Sequence, residues 1–220
     1  MAMINCPECG KEISDKAAAC PNCGCPINGS AATNTDRSEE TAKFIDLAVK
    51  AIQGQNSEQV EKYCQSALEI DPQNYRAWEL EARGLLFQST LKSNKIMQAI
   101  GAAANAVNYA PNNKEELAES LYTSIYENIT GLLNIALVQM PSMYAPKFVA
   151  QCMNYYGELL SGIPCLSKQK IESELKKFDD MDQKSKKAIM PKKRLIYAAH
   201  ATRPGWAEQY RTLLKQKGII

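Results

Sequence analysis

From residue 39 onward, apolar side chains recur every three to four positions, the spacing of one buried face on an α-helix. Phe44, Leu47, Ala48, Ala51 and Ile52 mark a first helix, opened by the capping-box spacing of Asp36 and Glu39 and ended at Gly54. A second starts near Ser57 and carries Val60, Tyr63, Cys64, Ala67, Leu68 and Ile70. It stops at Asp71-Pro72, because the proline ring disfavours helical backbone in the residue before it. Tyr75, Trp78, Ala82, Leu85 and Leu86 mark a third helix, and Ile96, Ala99, Ile100, Ala103, Ala106 and Val107 a fourth, closed by Ala110-Pro111. The period resumes behind a second capping-box spacing at Asn113 and Glu116, running through Leu117, Leu121, Ile125, Ile129, Leu132, Leu133 and Ala136 to about Gln139 before Pro141. Further helices are predicted over about 146–160, over about 167–189 with a narrow stripe of Ile171, Leu175 and Phe178, around Leu195–Tyr197, and from Pro204 to about 217 before Gly218.

The first 38 residues lack this period, and residues 29–38 offer little but small polar side chains, the composition of a flexible connector. The chain therefore reads as mainly α: a small β unit over 1–28, a connector over 29–38, helical hairpins over 39–112, and a C-terminal helical region with a basic tail over 113–220.

Chemistry enters with the cysteines. Of eight, five lie within the first 25 residues, and there a short unit occurs twice, Cys6-Pro7-Glu8-Cys9-Gly10 and Cys20-Pro21-Asn22-Cys23-Gly24. In each unit a proline fixes one backbone angle, two thiolates three positions apart converge, and a glycine permits the turn that follows. Two such knuckles supply Cys6, Cys9, Cys20 and Cys23 to one tetrahedral site, which in an ordinary cytosol is a zinc site. With all four positions taken by protein sulfur the ion is structural, and a stretch this short depends on it for folding. A redox pair of CxxC motifs is the alternative, and it is expected beside a βαβ unit, which the sequence lacks. The residues between the knuckles suggest a hairpin with Lys11–Ile13 as a strand and Ser14-Asp15-Lys16 as its turn, and Ile13 and Ile27 suggest the tiny core. Cys25 stands two positions after Cys23 and is either packing beside the knuckle or a thiol able to exchange onto the metal. The scattered Cys64, Cys152 and Cys165 read as buried core residues. Residues 4–28 closely resemble the zinc-ribbon family with the doubled CPxCG knuckle, whose members serve as adaptors to varied partners. That resemblance implies zinc at the same four cysteines.

Aligning ALEIDPQN (67–74) with AVNYAPNN (106–113) brings alanine, proline and asparagine into register, the mark of a repeated helical pair. Residues 41–112 resemble the tetratricopeptide repeat, through Phe44, Ala48, Val60, Cys64, Ala67 and Pro72 in one unit and Trp78, Ala82, Ala99, Ala103, Ala106 and Pro111 in the next, with a longer loop around Ser89–Asn94. The resemblance implies a docking groove for a peptide or a partner helix.

Charge divides the chain unevenly: residues 36–165 carry 10 basic against 15 acidic side chains, and residues 166–220 carry 14 against 6. The densest cluster, 184–194, holds Lys184, Lys186, Lys187, Lys192, Lys193 and Arg194 with no acid, so contact with nucleic-acid phosphate is a second reading. It lacks the interleaved aromatics that stack bases. The longest uncharged run, 128–146, is broken by Pro141 and Pro146 and carries Asn, Gln and Ser, which suits a buried helix better than a membrane span. Met1–Asn5 lead into the first cysteine without a charged start or apolar stretch, so a cytoplasmic protein is expected. His200, the single histidine, has no cysteine or carboxylate beside it, and the sequence shows no phosphate-gripping glycine loop, HExxH or triad order. The expected function is a non-enzymatic adaptor that binds one structural zinc and contacts a protein partner.

Overall fold

The computed structural model describes residues 3–6, 8–14, 17, 19–25, 34–139, 145–187 and 205–220, which fall into two compact units, Met1–Glu40 and Thr41–Ile220. Among the described residues there are two short strands and eight helices, so the fold is mainly α with a small β element at the start.

In the first unit, β1 (Met3–Asn5) pairs antiparallel with β2 (Glu12–Ser14), in the register Met3↔Ser14, Ile4↔Ile13 and Asn5↔Glu12. The hairpin therefore closes around the first knuckle, and does not run between the two knuckles as the sequence suggested. The segment Cys6–Lys11 is itself the connection, with the Cys6 N–H donating to the Lys11 carbonyl at 2.9 Å. Ile13 is buried with Cys6 and Cys20, as a miniature core needs; Ile27 and the turn at Asp15-Lys16 lie outside the described residues.

The helices run α1 (Asn34–Gln53), α2 (Ser57–Ile70), α3 (Tyr75–Gln88), α4 (Ile96–Tyr109), α5 (Lys114–Gln139), α6 (Ala145–Gly162), α7 (Lys168–Lys187) and α8 (Trp206–Gln216). α1 begins inside the segment expected as connector, so Asp36 and Glu39 lie within the helix and do not form its cap. The later starts follow local chemistry: the Asn56 side chain accepts from Gln59 N and the Asn74 side chain from Ala77 N, each satisfying a backbone donor that the first turn leaves open. Asn113, the repeat counterpart of Asn74, instead takes φ +53°, a left-handed conformation that asparagine tolerates, in place of the extended backbone of a capping box. Trp78 fixes the turn between α2 and α3 by donating its indole N–H to the Pro72 carbonyl at 2.9 Å.

Each helix from α3 to α5 packs on its successor, and α3 also meets α5 as α4 meets α6. A small cluster joins Ala48 and Ala51 of α1, Val60 and Cys64 of α2, and Leu80 of α3. Gly84 lets α3 approach α2 closely: a methyl there would lie 2.6 Å from Val60 Cγ1. A larger core joins described residues from Ala82 of α3 to Leu214 of α8. The longer loop after α3 is held at both ends. Ser89 Oγ accepts from Lys95 N, and Asn94 accepts from the Tyr155 hydroxyl of α6 at 2.7 Å.

The C-terminal helices close this core through a chain of rings: Tyr126 to Tyr156 at 4.9 Å, Tyr156 to Phe178 at 5.8 Å, and Phe178 edge-on to Tyr210 at 4.8 Å. The stripe Ile171, Leu175 and Phe178 is buried as predicted. Beside it Glu174 is only 1% exposed, and a charge so placed needs partners. Lys177 and Lys170 supply them at 2.7 and 3.4 Å, and the same ammoniums sit over the rings of Tyr126 and Tyr122. Burial, with the Glu174 carboxylate adding to it, pushes the Tyr122 hydroxyl well above the ordinary tyrosine range. Among the described residues no helix is long and apolar enough to cross a membrane. The short helix expected around Leu195–Tyr197 lies outside the described residues.

Where α6 meets α8, a methyl on Gly157 would lie 2.6 Å from Tyr210 Cε1, and that ring is pinned because its hydroxyl donates to the Met153 carbonyl. Gly157→Ala is therefore expected to destabilise the helical unit by ~1–3 kcal/mol, read as a lower urea midpoint. Gly101→Ala, on a helix with open space at the same atom, should instead leave the midpoint unchanged or raise it.

Candidate metal centre

The two knuckles have the same local geometry because they have the same local sequence. Gly10 N donates to the Cys6 carbonyl at 2.8 Å and Gly24 N to the Cys20 carbonyl at 2.8 Å. Both glycines sit at positive φ, +69° and +75°, where a side chain is strained and glycine is not. A second matched pair of bonds closes each loop, Cys6 N to Lys11 O and Cys20 N to Cys25 O. The knuckles also touch each other, since Lys11 Nζ donates to Asn22 Oδ1 at 3.3 Å.

These loops bring the sulfurs of Cys6, Cys9, Cys20 and Cys23 within 4.8 Å of one another. Across the knuckles the separations are 3.6 Å for Cys6 with Cys23 and 3.6 Å for Cys9 with Cys20. A tetrahedron with metal–sulfur bonds of about 2.3 Å has edges near 3.8 Å, so the four atoms fit one ion of zinc's size. Cys6 and Cys20 are buried and Cys9 and Cys23 exposed, so the site lies at the surface of its small unit.

The electrostatics are those of a site prepared for a cation. The backbone N–H of Cys9 is the largest influence on the Cys6 thiol and lowers its pKa. Burial works against the Cys20 thiolate, but the N–H groups of Asn22 and Cys23 and the thiols of Cys23 and Cys9 outweigh it and bring its pKa down to about 6. At Cys23 the Cys25 N–H favours the thiolate, yet burial and the sulfurs of Cys20, Cys9 and Cys6 push the pKa up to about 12. Backbone donors thus favour the first charges, and the last sulfur resists ionising beside them. A doubly charged ion removes that resistance.

The remaining cysteines divide. Cys64 and Cys152 are buried in the helical unit, and burial pushes each thiol up to about 12. Cys165 corrects the expectation of a third buried thiol: it is exposed, at φ +61° in the turn between α6 and α7. Of the basic cluster, Lys184, Lys186 and Lys187 belong to the last turns of α7, while Lys192, Lys193 and Arg194 lie outside the described residues, as does His200. Cys25, expected either to pack beside the knuckle or to exchange onto the metal, is partly buried against Cys6, Ile13 and Cys20. The spacing showed its nearness to Cys23 but not the side to which its thiol turns.

Residues 5–27 match the family model of a zinc-ribbon domain. No curated protein and no solved structure matches the chain. With the geometry above, the match makes the cofactor of this unit one structural zinc ion.

Chelating the metal from the full chain is expected to expose the ribbon thiols to a thiol reagent while the helical circular dichroism of the Thr41–Ile220 unit persists, since that unit has its own core. Zinc affinity should fall as pH drops through 6. The fall should steepen there, because the Cys23 thiol must release its proton on either side of that pH, whereas Cys20, already a thiolate above it, adds a further proton to be displaced below it. Competition with a chromophoric chelator across that range measures the slope.

Proposed function

We propose that the protein is a zinc-binding, non-enzymatic adaptor of the cytoplasm, in which a zinc ribbon and a tetratricopeptide-like helical surface contact a protein partner. In this reading Cys6, Cys9, Cys20 and Cys23 are the four ligands. The observation that carries it is the closure of the centre: every corner of the tetrahedron is taken by protein sulfur, so no position is left for a substrate or an activated water. A thiolate cluster of this kind also suits a reducing compartment.

The helical unit supports the second half of the reading. Ala48, Cys64, Ala67, Ala82, Ala99, Ala103 and Ala106, the small residues of the repeat pattern, are all buried where helices cross. The same helices leave large apolar side chains facing water, among them Phe87 on α3 and Met97 on α4, at the two ends of the tethered loop. Exposed apolar groups of that size beside a fixed loop are what a partner surface uses.

Affinity purification of the full chain at physiological salt tests the proposal, with Phe87→Ser/Met97→Ser as the comparison. The double variant is expected to weaken recovery of the captured protein about tenfold, the effect of losing one strong contact. Recovery of nucleic acid in place of protein, lost when Lys184, Lys186, Lys187, Lys192, Lys193 and Arg194 are changed to glutamate, would favour phosphate binding by the basic tail instead.

A further inference from the structure

The matched knuckles differ at one informative position. Lys11 and Cys25 are counterparts: each follows the knuckle glycine, and each offers its carbonyl to the N–H of the first cysteine of its own knuckle. Lys11 is exposed and reaches outward to Asn22. Cys25 turns the other way, half-buried against Cys6, Ile13 and Cys20, and its thiol interacts with the Cys6 sulfur. A fifth sulfur thus lies against the buried half of the four-sulfur cluster.

Cys6 and Cys20 are buried beside Cys25, whereas Cys9 and Cys23 are the exposed sulfurs of the cluster, open to reagents that would take them off the metal. The two are not equivalent. Cys9 belongs to the other knuckle, whereas Cys23 is two residues from Cys25 in the same loop. Replacing Cys23 needs a shift in that loop alone, with the first knuckle, Cys20 and the β1–β2 pairing undisturbed.

We propose that Cys25 is an exchangeable fifth ligand of the ribbon zinc, taking the place of Cys23 when that sulfur leaves the metal. The inference rests on the zinc-ribbon reading of residues 5–27. In the exchange the zinc–sulfur bond to Cys23 breaks and one to Cys25 forms. The Cys25 thiol gives up its proton and the departing Cys23 thiolate takes one up, so charge and proton count are unchanged and no oxidant is required. The exchange keeps the ribbon folded while an exposed ligand is modified.

The test uses full-length chains carrying Cys23→Ser, Cys25→Ser, Cys23→Ser/Cys25→Ser and Cys20→Ser, with zinc measured by elemental analysis and cobalt(II) as a spectroscopic stand-in. Helical circular dichroism checks that each variant retains its main fold. Wild type and Cys25→Ser are expected to hold one zinc each. Cys23→Ser should also hold one, and its cobalt form should keep the charge-transfer intensity of four thiolates, whereas the double variant should drop to the intensity of three and lose stoichiometric zinc. Cys20→Ser should lose zinc although Cys25 is present. If Cys23→Ser and the double variant are indistinguishable, in zinc content and in spectrum, Cys25 is no ligand and the proposal fails. Wild-type protein without stoichiometric zinc would instead remove the reading on which it rests.

Discussion

Four sulfurs held within 4.8 Å of one another cannot all carry charge unless a cation stands among them. The N-terminal unit is built on that constraint. Among the described residues its buried apolar side chains are Cys6, Ile13 and Cys20, two of which are themselves part of the cluster. So small a core stabilises little, and the strands β1 and β2 span three residues each. Bonds from metal to sulfur therefore supply the cohesion that packing supplies elsewhere, and backbone N–H groups directed at the Cys6 and Cys20 sulfurs favour their thiolates.

The helical unit solves the same problem by the opposite means. Its larger core links α3 through α8, and small residues let the helices approach until single methyl groups would collide, as at Gly84 against Val60. The buried carboxylate of Glu174 enters that core in company. Glu174 has two ammoniums, and those ammoniums have two tyrosine rings, so a buried charge is spread over a cluster reaching from α7 to α5. The two units thus differ in what disrupts them: competition for a metal in one, loss of side-chain fit in the other.

Much of this was legible in the residues, because the signals are local. The period of Leu121, Ile125, Ile129 and Leu133 is a property of one helix, and so is the stop imposed by Pro72 on α2. The metal site was legible for the same reason, since each knuckle is fixed by five consecutive residues. What escaped the sequence depends on contacts between distant segments. The β1–β2 pairing is decided by which strand meets Glu12–Ser14, and nothing in the alternation of three residues names the partner. The exposure of Cys165 and the anchoring of the Ser89–Asn94 loop on Tyr155 are of this kind as well. Asn113 shows the limit of repeat logic: it occupies the place of Asn74 in the pattern, yet its backbone lies in a different region.

The near-identity of the two knuckles has a consequence for how the centre assembles. One knuckle offers two sulfurs and is by itself half a tetrahedron, so it needs a twin. In separate molecules the twins would meet only as often as their dilution allowed. Joined by the ten residues between Cys9 and Cys20, they face each other at an effective concentration set by a short tether, and their pairing does not depend on the abundance of the protein.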